Sequence, residues 1–242
     1  KLAMSPRRGP VCINLPRNIL ANNENFKINE KNQSFVNENL NKAKSNNIKK
    51  AVKIISNSNK TVIIAGGGIK YNSRYKNVIK LAELLNIPMV TAAGHGDAIP
   101  FNHKLNAGQM GPRGNPVASK LVKEASVIIA LGTRLGFNST FYSYENINKK
   151  AKIIQVELEK TMIGRYFPAV VGIYGDAGTV TDQLYKEIKK QNIIINVKKW
   201  TDSYLNERNK FLKIRDEIKL KNFPIQPNGL FKQLRQVLPK NS

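Results

Sequence analysis

The sequence predicts an α/β fold, in which helices cover both faces of a doubly wound, mostly parallel sheet. Short apolar runs alternate along the chain with amphipathic segments whose apolar residues recur at helical spacing. The apolar runs are continuous rather than alternating, as strands need when both of their faces are buried. A hydrophobic content of 41% over 242 residues is enough to build such a core.

Each element follows from its local pattern. The first helix is predicted over 36–55, where these residues share one face: Val36, Leu40, Ala43, Ile48, Ala51, Val52 and Ile55. A second helix is predicted over 72–86, with its inward face made by Val78, Leu81, Ala82 and Leu85. The predicted strands are 61–66, 87–93, 126–133, 151–158 and 170–176, and two more helices cover 116–125 and 177–191. The glycine-rich stretch 94–115 is predicted to be a loop.

Outside the α/β domain, which covers 36–191, the chain changes character. Residues 9–20, GPVCINLPRNIL, are predicted to form a short apolar strand bounded by prolines, and residues 21–35 an Asn-rich linker. Segment 192–223 is a connection with a charged helix over 199–221, whose inward face is Tyr204, Phe211, Ile214 and Ile218. Residues 224–242 begin another amphipathic helix. Because the chain opens on Lys and this last helix has no apolar segment after it, we expect a fragment.

Composition excludes several classes of function. The net charge of +24 raises the question of nucleic acid, but the basic residues are scattered along helical polar faces, with few aromatics among them. Cys12, His95 and His103 are the whole set of cysteines and histidines, which makes a poor metal site. No apolar run approaches the ~20 residues that span a membrane. We therefore expect a cytoplasmic protein without nucleic-acid or membrane partners that acts on a small-molecule substrate.

Candidate site residues lie where ligands collect in doubly wound sheets, beyond the carboxyl ends of the strands. Small residues there let backbone N–H groups approach a pyrophosphate, an arginine can clamp a phosphate, and carboxylates can accept ribose hydroxyls or an adenine amino group. The predicted ligand-contacting residues are Gly66, Gly67, Gly68, Thr91, Gly132, Thr133, Arg134, Glu157, Gly175 and Asp176, and Glu159 lies at the same strand end as Glu157.

A structural alternative stands beside each of these assignments. The three glycines can serve only a tight turn, and Arg134 can pair with Glu157 or Glu159. Asp176, in GDAGTV, has the position of a helix N-cap. His95, in GHGD, is a loop histidine that can lie near a ligand or away from it.

The pattern disfavours a dinucleotide fingerprint and catalysis by this segment alone. The third glycine of G-x-G-x-x-G would fall at Tyr71, and the second strand ends in Thr91 and Ala92 rather than an acidic residue. No G-K-[ST] sequence, Ser-His-Asp set or Cys-His set is present, so we assign no catalytic residue. A deacetylase-like NAD enzyme is disfavoured too, since one cysteine cannot build its zinc module.

The strand ends, taken in order, resemble those of the central domain of thiamine-diphosphate enzymes. The matching stretches are TVIIAGGG, LLNIPMVTAAG, ASVIIALGTRLG, KIIQVELE and VGIYGDAG. GPVCINLPRNIL is similar to the closing strand of the family's pyrimidine-binding domain, and FPIQPNGLFKQLRQVLP to the start of its pyrophosphate-binding domain. The resemblance thus implies that 1–20 ends one domain, 21–35 links it to the central domain over 36–191, and 224–242 begins a third.

The resemblance implies a reaction in which thiamine diphosphate, held by Mg²⁺, adds to a substrate carbonyl. It places the activating glutamate and the G-D-G…N metal motif on the flanking domains, so this chain alone is expected to be inactive. It also implies a homodimer or homotetramer, with ADP or FAD on the central domain in some branches. A nucleotide would then lie among Gly66–Gly68, Gly132–Arg134, Glu157 and Asp176.

Within the family, four stretches resemble the branch that converts sulfoacetaldehyde and phosphate to acetyl phosphate and sulfite. They are SPRRGPVCINLPRN, HGDAIPFNH, ALGTRLGFNST and AKIIQVELEKTMIGRYFPAVVGIYGDA. Acetolactate synthases, which condense pyruvate, share the same framework and are the alternative, and a free-standing ADP- or FAD-binding module is another. Two departures are Glu157, where family members often carry Asp, and the segment FYSYENINKKAK.

Overall fold

A six-stranded, all-parallel sheet organises the computed structural model, which describes residues 3, 9–23, 25, 42–70, 74–217 and 223–239. The strand order is β3-β2-β1-β4-β5-β6. The strands are β1 (Thr61–Ala65), β2 (Met89–Thr91), β3 (Asn106–Gln109), β4 (Val127–Leu131), β5 (Lys152–Glu157) and β6 (Ala169–Tyr174). The described helices are α1 (Arg17–Leu20), α2 (Ser45–Ser56), α3 (Tyr75–Leu85), α4 (Pro116–Glu124), α5 (Phe137–Thr140), α6 (Ala177–Lys190), α7 (Lys198–Asp216) and α8 (Pro227–Val237).

The core forms two layers, one on each face of the sheet, which confirms the predicted fold class. Successive residues of β1 alternate between them: Ile63 and Ala65 pack with α2, α3 and α6, whereas Val62 and Ile64 pack with α4 and α7. All five residues of β1 and of β4 are buried. This burial on both faces explains why these strands are continuous apolar runs.

Strand β3 was missed by the sequence pattern, which predicted a loop over 94–115. Its sequence, NAGQ, is short, polar and broken by a glycine at φ +110°. Asn106 is nonetheless 1% exposed, because its side chain bonds the Pro100 carbonyl oxygen at 3.1 Å and accepts the Gly108 N–H at 2.9 Å. Local hydrogen bonds therefore replace apolar side chains in this edge strand.

Helix boundaries also differ from prediction. α2 begins at Ser45, while Val36 and Leu40 of the predicted helix lie outside the described residues. Ala43 is buried without being helical, since its N–H and carbonyl oxygen both bond the Gln183 amide, at 2.8 and 3.1 Å. The predicted inward face of 199–221 was wrong at Ile214, which is 70% exposed in the last turns of α7. Ile218 lies outside the described residues.

The two ends of the described chain carry exposed apolar side chains. The strand predicted within 9–20 was wrong: residues 9–16 pair with no described strand, and α1 follows them. A strand needs a neighbour for its backbone hydrogen bonds, and the described part supplies none here. The exposed apolar residues of the two ends are Val11, Ile13, Leu15, Ile19, Leu20, Phe223, Ile225, Leu230, Phe231, Leu234, Val237 and Leu238.

Helix α7 crosses the amino ends of the strands and bonds to them. The Trp200 indole N–H donates to the Thr61 carbonyl oxygen at 3.3 Å. The Thr201 hydroxyl donates to the Asn86 carbonyl oxygen at 2.8 Å. The Tyr204 hydroxyl bonds the Glu124 carboxylate, and this contact together with burial raises the pKa of Tyr204. Among the described helices, none has the length and apolar character to cross a membrane.

Candidate ligand site at the switch point of the sheet

The strand order places a crevice between β1 and β4, at their carboxyl ends. From β1 the chain proceeds to β2 and β3 on one side, and from β4 to β5 and β6 on the other. Ala65 pairs with Leu131 in the ladder, so the turns that begin at Gly66 and Gly132 lie side by side. Ligands of doubly wound sheets bind at this kind of switch point.

The glycines of the two turns interlock. The Gly66 N–H donates to the Leu131 carbonyl oxygen at 2.9 Å, and the Gly68 N–H to that of Gly132 at 3.0 Å. A Cβ on Gly66 would lie 2.3 Å from the Gly132 oxygen, and one on Gly68 would lie 2.7 Å from the Gly132 Cα. Gly132 itself has φ +60°. The tight-turn interpretation accounts for these contacts, and two of the three backbone donors predicted for a pyrophosphate already have protein acceptors.

The His95 side chain packs against Gly67, the middle glycine of the first turn. A Cβ on Gly67 would lie 2.8 Å from the His95 Cε1 atom, so the imidazole rests against this turn. Burial and the positive charges of Lys70 and Arg134 lower the pKa of His95, and Asp97 opposes them. The Nδ1 atom is buried and has no hydrogen-bond partner among the described residues. A neutral imidazole with an unused nitrogen therefore faces the crevice turn.

Arg134 offers an exposed cation beside the crevice. The structure gives it no ion pair or hydrogen bond with any described residue, so the predicted pairing with Glu157 or Glu159 is not observed. The Glu157 side chain is buried and accepts the Leu158 N–H at 2.9 Å, and Glu159 accepts from the Thr161 hydroxyl at 2.7 Å. Arg134 is thus the one predicted ligand-clamping residue whose charge is not already compensated by a described neighbour.

Asp176 is held by protein groups on both carboxylate oxygens. Its Oδ1 accepts the N–H and the hydroxyl of Thr179, each at 2.9 Å, which confirms the predicted N-cap of α6. Its Oδ2 forms an ion pair with Arg74, whose side chain lies across Gly178. Because Asp176 is 0% exposed, an adenine amino group would have to displace Arg74 to reach it. Its role in ligand binding stays a prediction.

The remaining predicted residues spread along the sheet edge. Thr91 is buried in β2, and its carbonyl oxygen accepts the Met110 N–H at 2.9 Å. The Gly175 N–H continues the β5–β6 ladder by donating to the Glu157 carbonyl oxygen at 3.1 Å. With neighbouring strands about 4.8 Å apart, the end of β6 lies three strand positions, roughly 14 Å, from that of β1. The structure therefore brings together Gly66–Gly68, Gly132–Arg134 and His95, with Gly175 further away.

Gln155, which the sequence did not single out, holds the turn after β4. It is 2% exposed on β5 and donates to the Thr133 carbonyl oxygen at 3.1 Å and to that of Met162 at 3.3 Å. Its Oε1 accepts the Gly164 N–H at 2.8 Å. A polar residue inside the otherwise apolar run KIIQVEL was the available signal, because buried amides need partners.

Within the described part of the chain, no group of three or more His, Cys, Asp or Glu residues could hold a metal ion. The polar groups of this site without a described partner are instead the exposed Arg134 guanidinium and the buried His95 Nδ1 atom.

Comparisons with known proteins give the family. The model described as "Thiamine pyrophosphate enzyme, central domain" matches residues 48–184, more than half of the chain. An acetolactate synthase large subunit of Buchnera aphidicola subsp. Schizaphis graminum is 32% identical over 240 residues, which are 96% of this chain and 40% of that protein. A sulfoacetaldehyde acetyltransferase of Alcaligenes xylosoxydans xylosoxydans is 37% identical over 140 residues, 57% of this chain and 23% of that protein. The chain thus spans less than half the length of these relatives.

Proposed function

We propose that this chain, which belongs to the family of thiamine pyrophosphate enzymes through its central domain, is part of a thiamine-diphosphate- and Mg²⁺-dependent acyl-transferring enzyme. The reaction proposed is that of sulfoacetaldehyde acetyltransferase, in which sulfoacetaldehyde and phosphate give acetyl phosphate and sulfite. The supporting observation is the similarity to acetyltransferases of this name, 35–37% identical over 140–143 residues.

The proposed role of this chain is to support and connect domains that carry the cofactor. Thiamine diphosphate, when bound, supplies a nucleophilic carbon that attacks the substrate carbonyl. No residue of this chain is assigned to that step. The protein is proposed to act as a homodimer or homotetramer.

The exposed apolar ends support the proposed domain boundaries. α8 turns Leu230, Phe231 and Leu234 outward, and its one buried residue is Gly229. Val11, Ile13 and Leu15 are exposed in the same way near the other end. Apolar faces of this kind are normally covered by packing. We assign 1–20 and 224–242 to the neighbouring pyrimidine- and pyrophosphate-binding domains.

The decisive experiment uses the full-length protein that contains this chain. With sulfoacetaldehyde, phosphate, thiamine diphosphate and Mg²⁺, sulfite release and acetyl phosphate formation are expected. Omitting phosphate or thiamine diphosphate should abolish both products. If active, cofactor-loaded protein converts pyruvate to acetolactate and leaves sulfoacetaldehyde untouched, the acetyltransferase proposal is overturned.

Acetolactate synthesis is the second candidate because of how far the resemblance extends. The Buchnera synthase aligns over 96% of the chain, whereas the acetyltransferases align over 54–62%. The pyruvate arm of the same assay tests it directly. Turnover of sulfoacetaldehyde without any acetolactate would remove this candidate.

A third candidate is a binding function: ADP or FAD at the switch point. Arg134 and the unpartnered His95 nitrogen favour an anion there, whereas the occupied amides of Gly66 and Gly68 count against a fully backbone-cradled pyrophosphate. Calorimetry of the folded chain with each nucleotide tests this function. Arg134→Met should weaken any affinity, with Arg113→Met as the exposed control, and the absence of heat with both nucleotides would reject it.

A further inference from the structure

Four aromatic rings form a continuous row on the surface beside the switch point. The row, called here the aromatic ladder, runs through Phe141, Phe137, Tyr142 and Tyr166, with ring centroids 4.8, 5.6 and 4.3 Å apart. Phe137, Phe141 and Tyr142 are 54%, 44% and 49% exposed. Nothing in the proposed function uses these rings, and exposed aromatic clusters mark interaction sites.

The backbone that carries the ladder is fixed in an unfavourable conformation. Leu135, Phe141 and Tyr142 have φ of 53°, 49° and 55°, in the left-handed region that residues with a Cβ rarely occupy. Such conformations persist where the surroundings hold them, and they cluster at functional sites.

Buried threonines hold this conformation. The fully buried Thr140 hydroxyl donates to the Leu135 carbonyl oxygen at 2.9 Å and accepts the Tyr142 N–H at 3.2 Å. The Thr133 hydroxyl accepts the Leu135 N–H at 3.2 Å. The ladder is therefore preorganised, so binding through it loses little conformational entropy.

Cations border the ladder. Arg165 lies 5.7 Å over the Tyr166 ring. Arg134 acts electrostatically on Tyr142, the ring that stacks on Tyr166. Glu145 is the acidic residue of this segment, so the border is positive overall. Aromatic residues together with arginine are the composition of binding hot spots.

From these contacts we propose that the aromatic ladder docks a polypeptide segment that presents apolar side chains together with carboxylates. The ring faces are packed on one another, and a 4.3 Å separation leaves no slot for a third ring between Tyr142 and Tyr166. An extended segment turns alternate side chains to one face, about 6.6 Å apart, and can lay a few apolar side chains across the exposed rings. The positive charges beside the ladder would attract carboxylates on the docked segment, whereas they would repel a second copy of this chain, which has a net charge of +24.

The test uses the full chain and a fluorescein-labelled peptide in which Glu alternates with Phe, so that one face of the extended peptide is apolar. Fluorescence anisotropy should show binding that weakens with salt. Peptides with Lys for Glu, or with Ser for Phe, should bind at least about tenfold more weakly. Equal binding of all three peptides would overturn the proposal.

Matched variants locate the binding surface. Phe137→Ser should weaken binding about tenfold, whereas Phe101→Ser, at a site 57% exposed away from the ladder, should not change it. Arg165→Glu reverses the charge beside the Tyr166 ring, with Arg113→Glu at another exposed arginine as its control. Circular dichroism checks that each variant is folded, and equal effects of the paired variants would contradict the proposal.

Two other occupants would also be revealed. If ADP displaces the peptide and Phe137→Ser abolishes ADP binding, the ladder is a surface for a planar ligand and the proposal fails. If light scattering shows a dimer that Phe137→Ser dissociates, the occupant is a second copy, and the proposal fails as well. Neither result depends on enzyme activity, so the proposed function is tested separately.

Discussion

The two ends of the sheet are built differently. At the amino ends, α7 crosses the strands, and Trp200, Thr201 and Tyr204 each bond a group of another element. At the carboxyl ends, Arg134 has no partner among the described residues, and the His95 Nδ1 atom is buried without one. The amino end is tied together by bonds from α7, although Thr61 Oγ1 and Arg208 Nε are also buried there without a hydrogen-bond partner among the described residues. The carboxyl end differs in its exposed Arg134 cation, which has no partner among the described residues.

The two ends differ in exposed charge rather than in unsatisfied buried atoms. An unpaired buried polar atom costs about 1–3 kcal/mol, and the described residues carry such atoms at both ends of the sheet. The carboxyl end is itself divided, because the β6 side is closed by the Arg74–Asp176 pair and the β1–β4 side is open. We therefore expect the contacts of α7 and the Arg74–Asp176 pair to contribute to stability, whereas Arg134 beside the β1 and β4 turns is the exposed charge left without a described partner.

The largest predicted effect tests the closed part of the carboxyl end. Asp176→Ala should lower the free energy of unfolding by about 3–5 kcal/mol, since it leaves the Arg74 charge buried and removes the cap of α6. Urea unfolding measures the loss. Asp182→Ala, which removes an exposed ion pair with Lys186 at 2.6 Å, should cost less than about 1 kcal/mol. Equal losses for the two variants would contradict a structural role for Asp176.

The next effect concerns the interlocked glycines. Gly66→Ala should cost about 1–3 kcal/mol, because the added methyl group meets backbone atoms of Gly132 that cannot move without the ladder. Gly136→Ala is the control, since a Cβ there meets nothing within 4 Å. Thermal and urea unfolding of both variants give the comparison. A fully stable Gly66→Ala protein would show that the two turns are not packed as described.

A smaller loss of stability is expected at the amino ends of the strands, where α7 is bonded to the sheet. Thr201→Val keeps the shape of the buried side chain but leaves the Asn86 carbonyl oxygen without its donor, which should cost about 1–2 kcal/mol. Thr161→Val, at an exposed hydroxyl that bonds Glu159, should stay within about 0.5 kcal/mol. If Thr201→Val were neutral, the contrast between the two ends would rest on α7 packing alone.

The sequence predicted the elements whose signal is local. The continuous run TVIIA predicts β1, because a strand buried on both faces is apolar at every position. The spacing of Val78, Leu81, Ala82 and Leu85 predicts α3, because a helix buried on one face repeats its apolar residues every three or four positions. Strand β3 escaped prediction because hydrogen bonds of Asn106, rather than apolar side chains, support it.

The positions of the candidate residues were predicted from the strand ends, but their contacts were not. Gly66, Gly132 and Arg134 lie at the crevice as expected from strand ends. Whether the glycines hold a ligand or one another depends on the register of β1 against β4, which no local pattern contains. The partner of Asp176 was missed for the same reason, since Arg74 is distant in sequence and reaches it only through the packing of α3 on α6.

The smallest predicted effect concerns the pKa of His95, which lies beside the turn that follows β1. Burial and Lys70 hold the pKa of His95 below 6.5, so the folded protein resists protonation of this imidazole more than the unfolded chain does. As pH falls below 6.5, the unfolded state binds the proton first, and the free energy of unfolding decreases. His95→Ala should flatten this decrease. In the folded protein, ¹H–¹⁵N NMR titration of the ring should show Lys70→Met raising the His95 pKa, whereas Lys60→Met, at the amino end, leaves it unchanged. Equal pKa values in wild type and Lys70→Met would mean that the crevice lacks the positive field on which an anion site depends.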